Sequence, residues 1–422
     1  MDRSAELYRR SSEVTPGGVS SPVRRFEPNP LFIAEGKGCR VKDVDGNEYI
    51  DLCMAYGPLI SGHANPEIMA AAQEQLSKGT VYGAPSEPEL ALLEKISSSI
   101  PSAQMVRLSC SGTEATMHAI RTARAFTGRN GIVKMNGGFH GAHDAVLVKA
   151  GSGSTEGTPS SAGVPQGATQ YTRTVEYNDI SAMSDVLERN DDIACVIMEP
   201  VLGNVGVVPP EKGYLEEVRR VTSENDVVLI FDEVITGFRV SEGGAQKRYG
   251  VTPDMTTMGK IIGGGFAAGA FAGRKEIMEL VAPQGPTYVA GTFAGNPVSA
   301  AAGLAQLRYL CRNDNYAKLE RSSDRLVGAI RDALIDNKIA GCVNSVGSMF
   351  SVYFGPEQVR NGTDAQKADR EMFGRMFRYM LEHGVYLAPS ALEDCFMSTA
   401  HDDEAVSALE EAFSGFVSTV RA

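Results

Sequence analysis

Between residues 60 and 310, short apolar runs recur among helical windows, and this rhythm restricts the fold more than any other feature of the chain. The runs are MVRLS, GIVKM, AVLVKA, ACVIMEP, VVLIFDE and FAAGAFAG, and the windows cover 66–78, 87–99, 113–127, 179–188, 213–224 and 297–310. Short apolar runs bounded by turn residues suit strands buried on both faces, so the pattern predicts an α/β domain with a mostly parallel sheet. Ahead of it, a short helix is expected over 3–13, then the turn-rich segment TPGGVSSPVRRFEPNP and an antiparallel meander in FIAEGKGCRVKDVDGNEYIDL. Windows at 316–336, 364–382 and 402–420 flank strands near 342–354 and predict a smaller α+β domain. The expected divisions are an N-terminal segment (1–60), a large domain (61–315) and a small C-terminal domain (316–422). The Gly/Ser/Thr/Pro-rich stretch 150–169 has almost nothing to bury, and a loop of this length in a compact domain is either functional or a floppy surface segment.

Composition removes whole classes of function. Fifty-two acidic residues against 40 basic ones leave a net charge of -12, the wrong sign for gripping a phosphate backbone, so no nucleic-acid partner is expected. Seven cysteines, none spaced as CxxC, argue for reduced cytosolic thiols rather than disulfides or zinc. The weakly polar run Ile261–Gly273 has 13 residues, short of the ~20 that span a bilayer, and the N-terminal MDRSAELYRRSSEV lacks the apolar core of a secretory signal. A cytoplasmic chain without a membrane partner is expected.

In α/β sheets, ligands gather beyond the carboxyl ends of the strands, so polar residues that follow apolar runs are the candidates. After MVRLS comes Ser111-Gly112-Thr113 at the start of a helix, where backbone N–H groups and hydroxyls suit a phosphate, or where Ser111 simply caps the helix. After VVLIF comes Asp232, able to face a cationic ring nitrogen or to serve as a cap or ion pair. After PDMTTM comes Gly259-Lys260, a lysine bounded by interior residues, the condition for an amine that reacts with carbonyls. Phosphate nest, ring-nitrogen acid and reactive lysine are together what pyridoxal phosphate requires of a protein. No strict GxGxxG, GxxxxGK[ST], GxSxG or HExxH motif occurs, and His140 with His143 lacks a third ligand, so dinucleotide, P-loop, serine-hydrolase and metal readings lose support.

These residues resemble the class III, fold type I pyridoxal-phosphate aminotransferases nearly end to end, through SGTEA at 111–115, GFHG at 138–141, MEP at 198–200, FDEVITGFR at 231–239, GK at 259–260 and AGTFAGNP at 290–297. Within that class the chain is similar to the glutamate-1-semialdehyde 2,1-aminomutase family through SSPVRRF at 20–26, GPLISGH at 57–63, the loop at 149–165 and LAPSALEDCFMSTAH at 387–401. The resemblance implies that Lys260 carries the cofactor and moves the substrate proton, while Asp232 keeps the ring nitrogen protonated. It implies that Ser111, Gly112 and Thr113 bind phosphate, joined by Thr292 of a second subunit in a homodimer. Phe139 and Val234 would sandwich the ring, with His140, Glu199 and Asn204 around it. Arg24 would clamp the substrate carboxylate with Ser21, Tyr56 and Ser152 beside it, and Glu393 would help distinguish the two halves of the reaction. The 150–169 loop would act as a lid. The implied reaction starts from the pyridoxamine phosphate form and converts glutamate 1-semialdehyde to 5-aminolevulinate through 4,5-diaminovalerate, in tetrapyrrole biosynthesis.

Two positions depart from the family pattern: Phe139 stands where tyrosine is usual, removing a phenol hydroxyl, and Tyr56 where tryptophan is usual. The competing readings are a class III aminotransferase or racemase for another amine, and a noncatalytic cofactor-binding regulator.

Overall fold

In the computed structural model, residues 2–148, 161–312 and 314–421 are described. The expected 150–169 loop therefore lies largely outside the described residues, and Ser152 lies wholly outside them. Fourteen strands form three sheets among the described residues. The chain opens with a helix over Asp2–Val14 and then β1 (Ile33–Lys37), β2 (Arg40–Asp43) and β3 (Glu48–Asp51). The central sheet follows, from β4 (Met105–Ser109), β5 (Gly131–Met135), β6 (Thr172–Val175), β7 (Ile193–Met198), β8 (Val228–Asp232), β9 (Met255–Gly259) and β10 (Gly269–Gly273). The last strands are β11 (Gly341–Val346), β12 (Met349–Phe354), β13 (Val385–Tyr386) and β14 (Cys395–Phe396).

The central sheet runs β4-β10-β9-β8-β7-β5-β6, and all its pairings are parallel except those of β10 with β4 and β9. Its inner strands read as continuous apolar runs because both faces are covered. In β7, Ile193, Val196 and Met198 pack toward Met183, Leu187, Leu215 and Val218 of the helices Ile180–Arg189 and Tyr214–Glu224. Cys195 and Ile197 turn the other way, onto Ala115, Ala119, Ile120 and Ala123 of the helix Gly112–Thr127. β10 runs directly beneath the turn that opens that helix: a Cβ at Gly269 would fall 2.2 Å from Ser111 O, so only glycine allows the approach.

Two expected elements differ. Residues 145–148 of AVLVKA, the part that is described, form no strand: Asp144–Val146 is a single 3-10 turn, and the buried Lys134 takes the Val148 carbonyl at 2.9 Å that a ladder would otherwise use. The sheet's last strand is instead β6, an edge strand whose sequence TRTV carries no apolar run. The 364–382 window divides into Gly362–Ala365 and Arg370–Glu382, because Asp369 caps the second helix through Met372 N at 2.9 Å.

β13 pairs in parallel with β3, so the N-terminal meander and the C-terminal residues share one sheet. They also share a core, in which Cys39, Ile50 and Leu52 join Phe350, Phe373 and Phe413. His401 sits buried ahead of the last helix, its Nδ1 accepting from Ser398 N at 3.0 Å. Burial lowers its pKa from 6.5 to about 4. A depressed imidazole pKa means that stability is complete above pH 6.5 and is lost as pH falls toward 4, and this one residue accounts for about 2 kcal/mol between pH 7 and 5. We expect His401→Gln to shrink the difference between urea midpoints at pH 7 and pH 5; an unchanged difference would show that His401 does not carry it.

Candidate active site

Five strand ends meet at one cavity of about 250 Å³, lined by Ser111, Gly112, Thr113, Thr116, Phe139, Gly141, Glu199, Asn204, Asp232, Val234, Ile235 and Lys260. Ser111 ends the turn after β4, where its hydroxyl accepts from Glu114 N at 3.2 Å while Glu114 returns a carboxylate oxygen to Cys110 N at 2.9 Å. That capping box fixes the first turn and leaves the early backbone N–H groups aimed outward, so capping and anion binding are compatible here. A Cβ at Gly112 would lie 2.9 Å from both methyl groups of Val234, which places Val234 against the helix N-terminus.

Asp232 closes β8 and is 4% exposed. Its Oδ2 lies 2.8 Å from His140 Nδ1, and its Oδ1 accepts from Thr257 Oγ1 at 3.0 Å and Val234 N at 3.1 Å. Thr257 stands opposite Asp232 in the β8–β9 register, a partnership that strand pairing reveals and a single sequence does not. Thr116 was likewise missed; its hydroxyl meets the carbonyls of Thr113 at 3.0 Å and His140 at 2.6 Å, tying the helix to the loop after β5. Glu199, after β7, accepts from Phe139 N, Gly203 N and Asn204 Nδ2, each at 2.9 Å. Burial raises its pKa, with the charge of nearby Asp232 pushing the same way.

Lys260 follows β9 in a left-handed conformation, φ 47°, that a non-glycine residue adopts only when its surroundings impose it. Burial lowers the pKa of its amine; Glu393, Asp394 and Glu199 oppose that shift, and the guanidinium of Arg239 adds to it. The shift enlarges the share of neutral amine, the form that acts as a nucleophile toward a carbonyl and as a base.

The remaining sequence candidates lie around this cavity or away from it. His140 is behind Asp232, with a buried Nε2 that has no partner among the described residues. Arg24 is exposed in the turn Pro22–Arg24 that Ser21 precedes. Tyr56 donates to Val23 O at 2.6 Å, so this aromatic wall holds the Arg24 turn. Thr292 is exposed and lines a separate depression of about 610 Å³, beside the exposed rings of Tyr82, Tyr288 and Phe293.

The donor set fits pyridoxal phosphate: a reactive amine, a buried carboxylate, flat apolar walls at Phe139 and Val234, and a hydroxyl-bearing helix N-terminus share one cavity. Comparison with known proteins points the same way. The family described as Aminotransferase class-III matches residues 23–413. The chain is similar to glutamate-1-semialdehyde 2,1-aminomutases of Archaeoglobus fulgidus (54% identical, covering 98% of this chain and 99% of that one) and Methanothermobacter thermautotrophicus (53%, 97% of each). Among solved structures it resembles an omega-transaminase from Sphaerobacter thermophilus (TM-score 0.92, 34% identity, 99% and 98% coverage). It also resembles a glutamate-1-semialdehyde-aminomutase from Pseudomonas aeruginosa (TM-score 0.88, 26% identity, 99% and 94% coverage), of which a variant was solved in complex with PMP. No helix among the described residues is long and apolar enough to cross a membrane. With this fold, this cavity and end-to-end identities near half, the chain belongs to the glutamate-1-semialdehyde 2,1-aminomutase family of class III aminotransferases.

Proposed function

We propose that the protein moves the amino group of glutamate 1-semialdehyde from C4 to C5 through 4,5-diaminovalerate, yielding 5-aminolevulinate for tetrapyrrole synthesis. The observation that carries this reading is the meeting of Lys260, Asp232 and the Ser111–Thr113 turn on one cavity, in a chain 54% identical to an aminomutase. Pyridoxal phosphate, when bound, supplies an electron sink for negative charge at the substrate carbon. Ser111, Gly112 and Thr113 bind its phosphate with their helix N-terminus. Asp232 balances the protonated ring nitrogen, and His140 and Thr257 hold its two oxygens in place. Phe139 and Val234 would offer the ring apolar walls, while Glu199 fixes the backbones of Phe139 and Gly203 and the side-chain amide of Asn204. In each half of the reaction the Lys260 amine would carry the proton between the reacting substrate carbon and the cofactor carbon that bears the nitrogen. Glu393, whose charge bears on Lys260, adjusts that amine between the two halves.

Arg24 receives the substrate carboxylate with its planar fork, Ser21 beside it and Tyr56 steadying the turn. We expect Arg24→Ala to raise KM about 10- to 100-fold, the loss of one charge-assisted contact, with kcat and the absorbance of bound cofactor unchanged. Loss of that absorbance would make Arg24 structural. The separate position of Thr292, next to exposed aromatic rings, supports a homodimer in which Thr292 serves the other subunit's phosphate; sedimentation of the wild type as a monomer would remove this part.

An aminotransferase reading draws on the Sphaerobacter neighbour, but its 34% identity is well below the 54% of the aminomutase relative. The reaction decides between them, because an isomerisation needs no amino acceptor. Incubation with glutamate 1-semialdehyde alone should yield 5-aminolevulinate. If nitrogen leaves only to pyruvate or 2-oxoglutarate, the aminomutase reading is wrong.

A further inference from the structure

Arg239 ends the FDEVITGFR motif and does not line the cavity described above, yet its guanidinium is buried, the residue being 1% exposed. It forms no ion pair among the described residues; Asp394 is the one carboxylate whose charge bears on it. Burying an arginine without a paired anion is costly, and an apolar residue would fill the same space, so the guanidinium must satisfy something that only its fork can reach. Its Nη1 donates to Ser348 Oγ at 3.0 Å, in the turn between β11 and β12, and its Nη2 donates to the carbonyl of Gly57. Its plane lies 4.7 Å over the ring of Phe396 in β14. One side chain from the turn after Asp232 thus joins the N-terminal segment to the β11–β12 turn and to β14 of the C-terminal sheet.

That junction is where the backbone is most strained. Met54, Ala55 and Tyr56 have φ of 44°, 56° and 63°, a run of left-handed residues that are not glycine, and Gly57 follows at 121°. Phe238, next to Arg239, has φ 57°, and Lys260 has φ 47°. Such residues persist only when contacts over-determine them, and they concentrate where a functional group must be held. Gly57 lies against the Lys260 stem: a Cβ there would be 3.3 Å from Lys260 Cδ and 3.7 Å from the Phe396 ring. A second buried side chain grips the same places, since Gln306 Nε2 donates to Pro58 O at 3.2 Å and to Ile261 O at 2.5 Å.

We propose that Arg239 is a positioning residue for Lys260: by holding the Gly57 carbonyl and covering Phe396, it presses the strained 54–57 loop and that ring against the lysine stem and fixes where the amine points. The inference rests on the reading of Lys260 given above. Lysine at position 239 would keep the charge but offer one nitrogen, which reaches Gly57 or Ser348 and not both. The fork, rather than the charge, therefore does the positioning.

The test compares holoenzymes of the wild type, Arg239→Lys, Arg239→Gln and Lys260→Ala. Far-UV circular dichroism and thermal melting serve as fold checks. Both Arg239 variants should lose kcat for glutamate 1-semialdehyde by about 10- to 100-fold, the size of loss that ~1 Å of misplacement produces, with a smaller change in KM. The visible circular dichroism of their bound cofactor should weaken per mole bound, because that signal reports how the ring and its attachment are held. A lower melting temperature with kcat and the visible signal both unchanged would overturn the proposal and leave Arg239 as packing. If neither variant folds, Ser348→Ala removes one of the two anchors; it should show the same pair of changes more weakly, and their absence would be equally decisive. Wild-type turnover and its loss in Lys260→Ala test the role of Lys260 separately, whatever Arg239 does.

Discussion

Lys260→Ala should leave no practical turnover of glutamate 1-semialdehyde while the protein remains folded. The proton-transfer role alone predicts a loss of about 10²- to 10⁴-fold, and removal of the attachment point adds to it. The fold has no need of the amine: the stem lies beside Gly57, and burial already disfavours the charged form. The variant should therefore melt no lower than the wild type, and pyridoxal phosphate should still bind through Asp232 and the Ser111–Thr113 turn, now removable by dialysis. Production of 5-aminolevulinate within tenfold of wild type would show that another group moves the proton. Partial rescue by added primary amines would locate the defect at the missing nitrogen rather than in the fold.

Asp232→Asn should cost about 100- to 1000-fold in kcat, the range seen when one preorganised charge contact is lost from a water-poor site. Asparagine keeps the volume and an oxygen for Thr257 Oγ1 and Val234 N, so the sheet rim should hold. The negative charge is lost, and the amide presents a donor where His140 Nδ1 also donates. KM should move less than kcat, because the phosphate and carboxylate contacts lie elsewhere. Asp232→Glu tests the same point by keeping the charge and displacing it. If Asp232→Asn turns over at the wild-type rate, the ring nitrogen does not depend on this carboxylate.

The parts legible in the sequence were those carried by local pattern. Asp232 ends a buried strand and Lys260 directly follows one, so an apolar run ending in a polar residue marks both before any tertiary contact is known, whereas Glu199 entered through the family resemblance. Ser111 to Thr113 stood out because a helix start has its own composition. Contacts made across long separations had no such signal. Thr257 reads as one of several strand threonines until register puts it opposite Asp232, and Arg239 reads as a surface cation until Gly57 and Ser348 close around it. β6 carries no apolar run because an edge strand needs none, and AVLVKA has a strand's composition although its Val148 carbonyl goes to the side chain of Lys134.

The pairing of β3 with β13 has a consequence for synthesis. Ile50 is hydrogen-bonded alongside Val385, and the core around Leu52 is built from residues such as Phe373 and Phe413. At ~5–20 residues per second, the first of these apolar side chains leaves the ribosome tens of seconds before its partners exist. The central α/β layer can form in the meantime, since its strands lie close together in the chain, but the meander cannot. A nascent polypeptide of this kind trails an unpartnered, sticky N-terminal tether until translation is almost finished, which makes it a natural client for a holding chaperone.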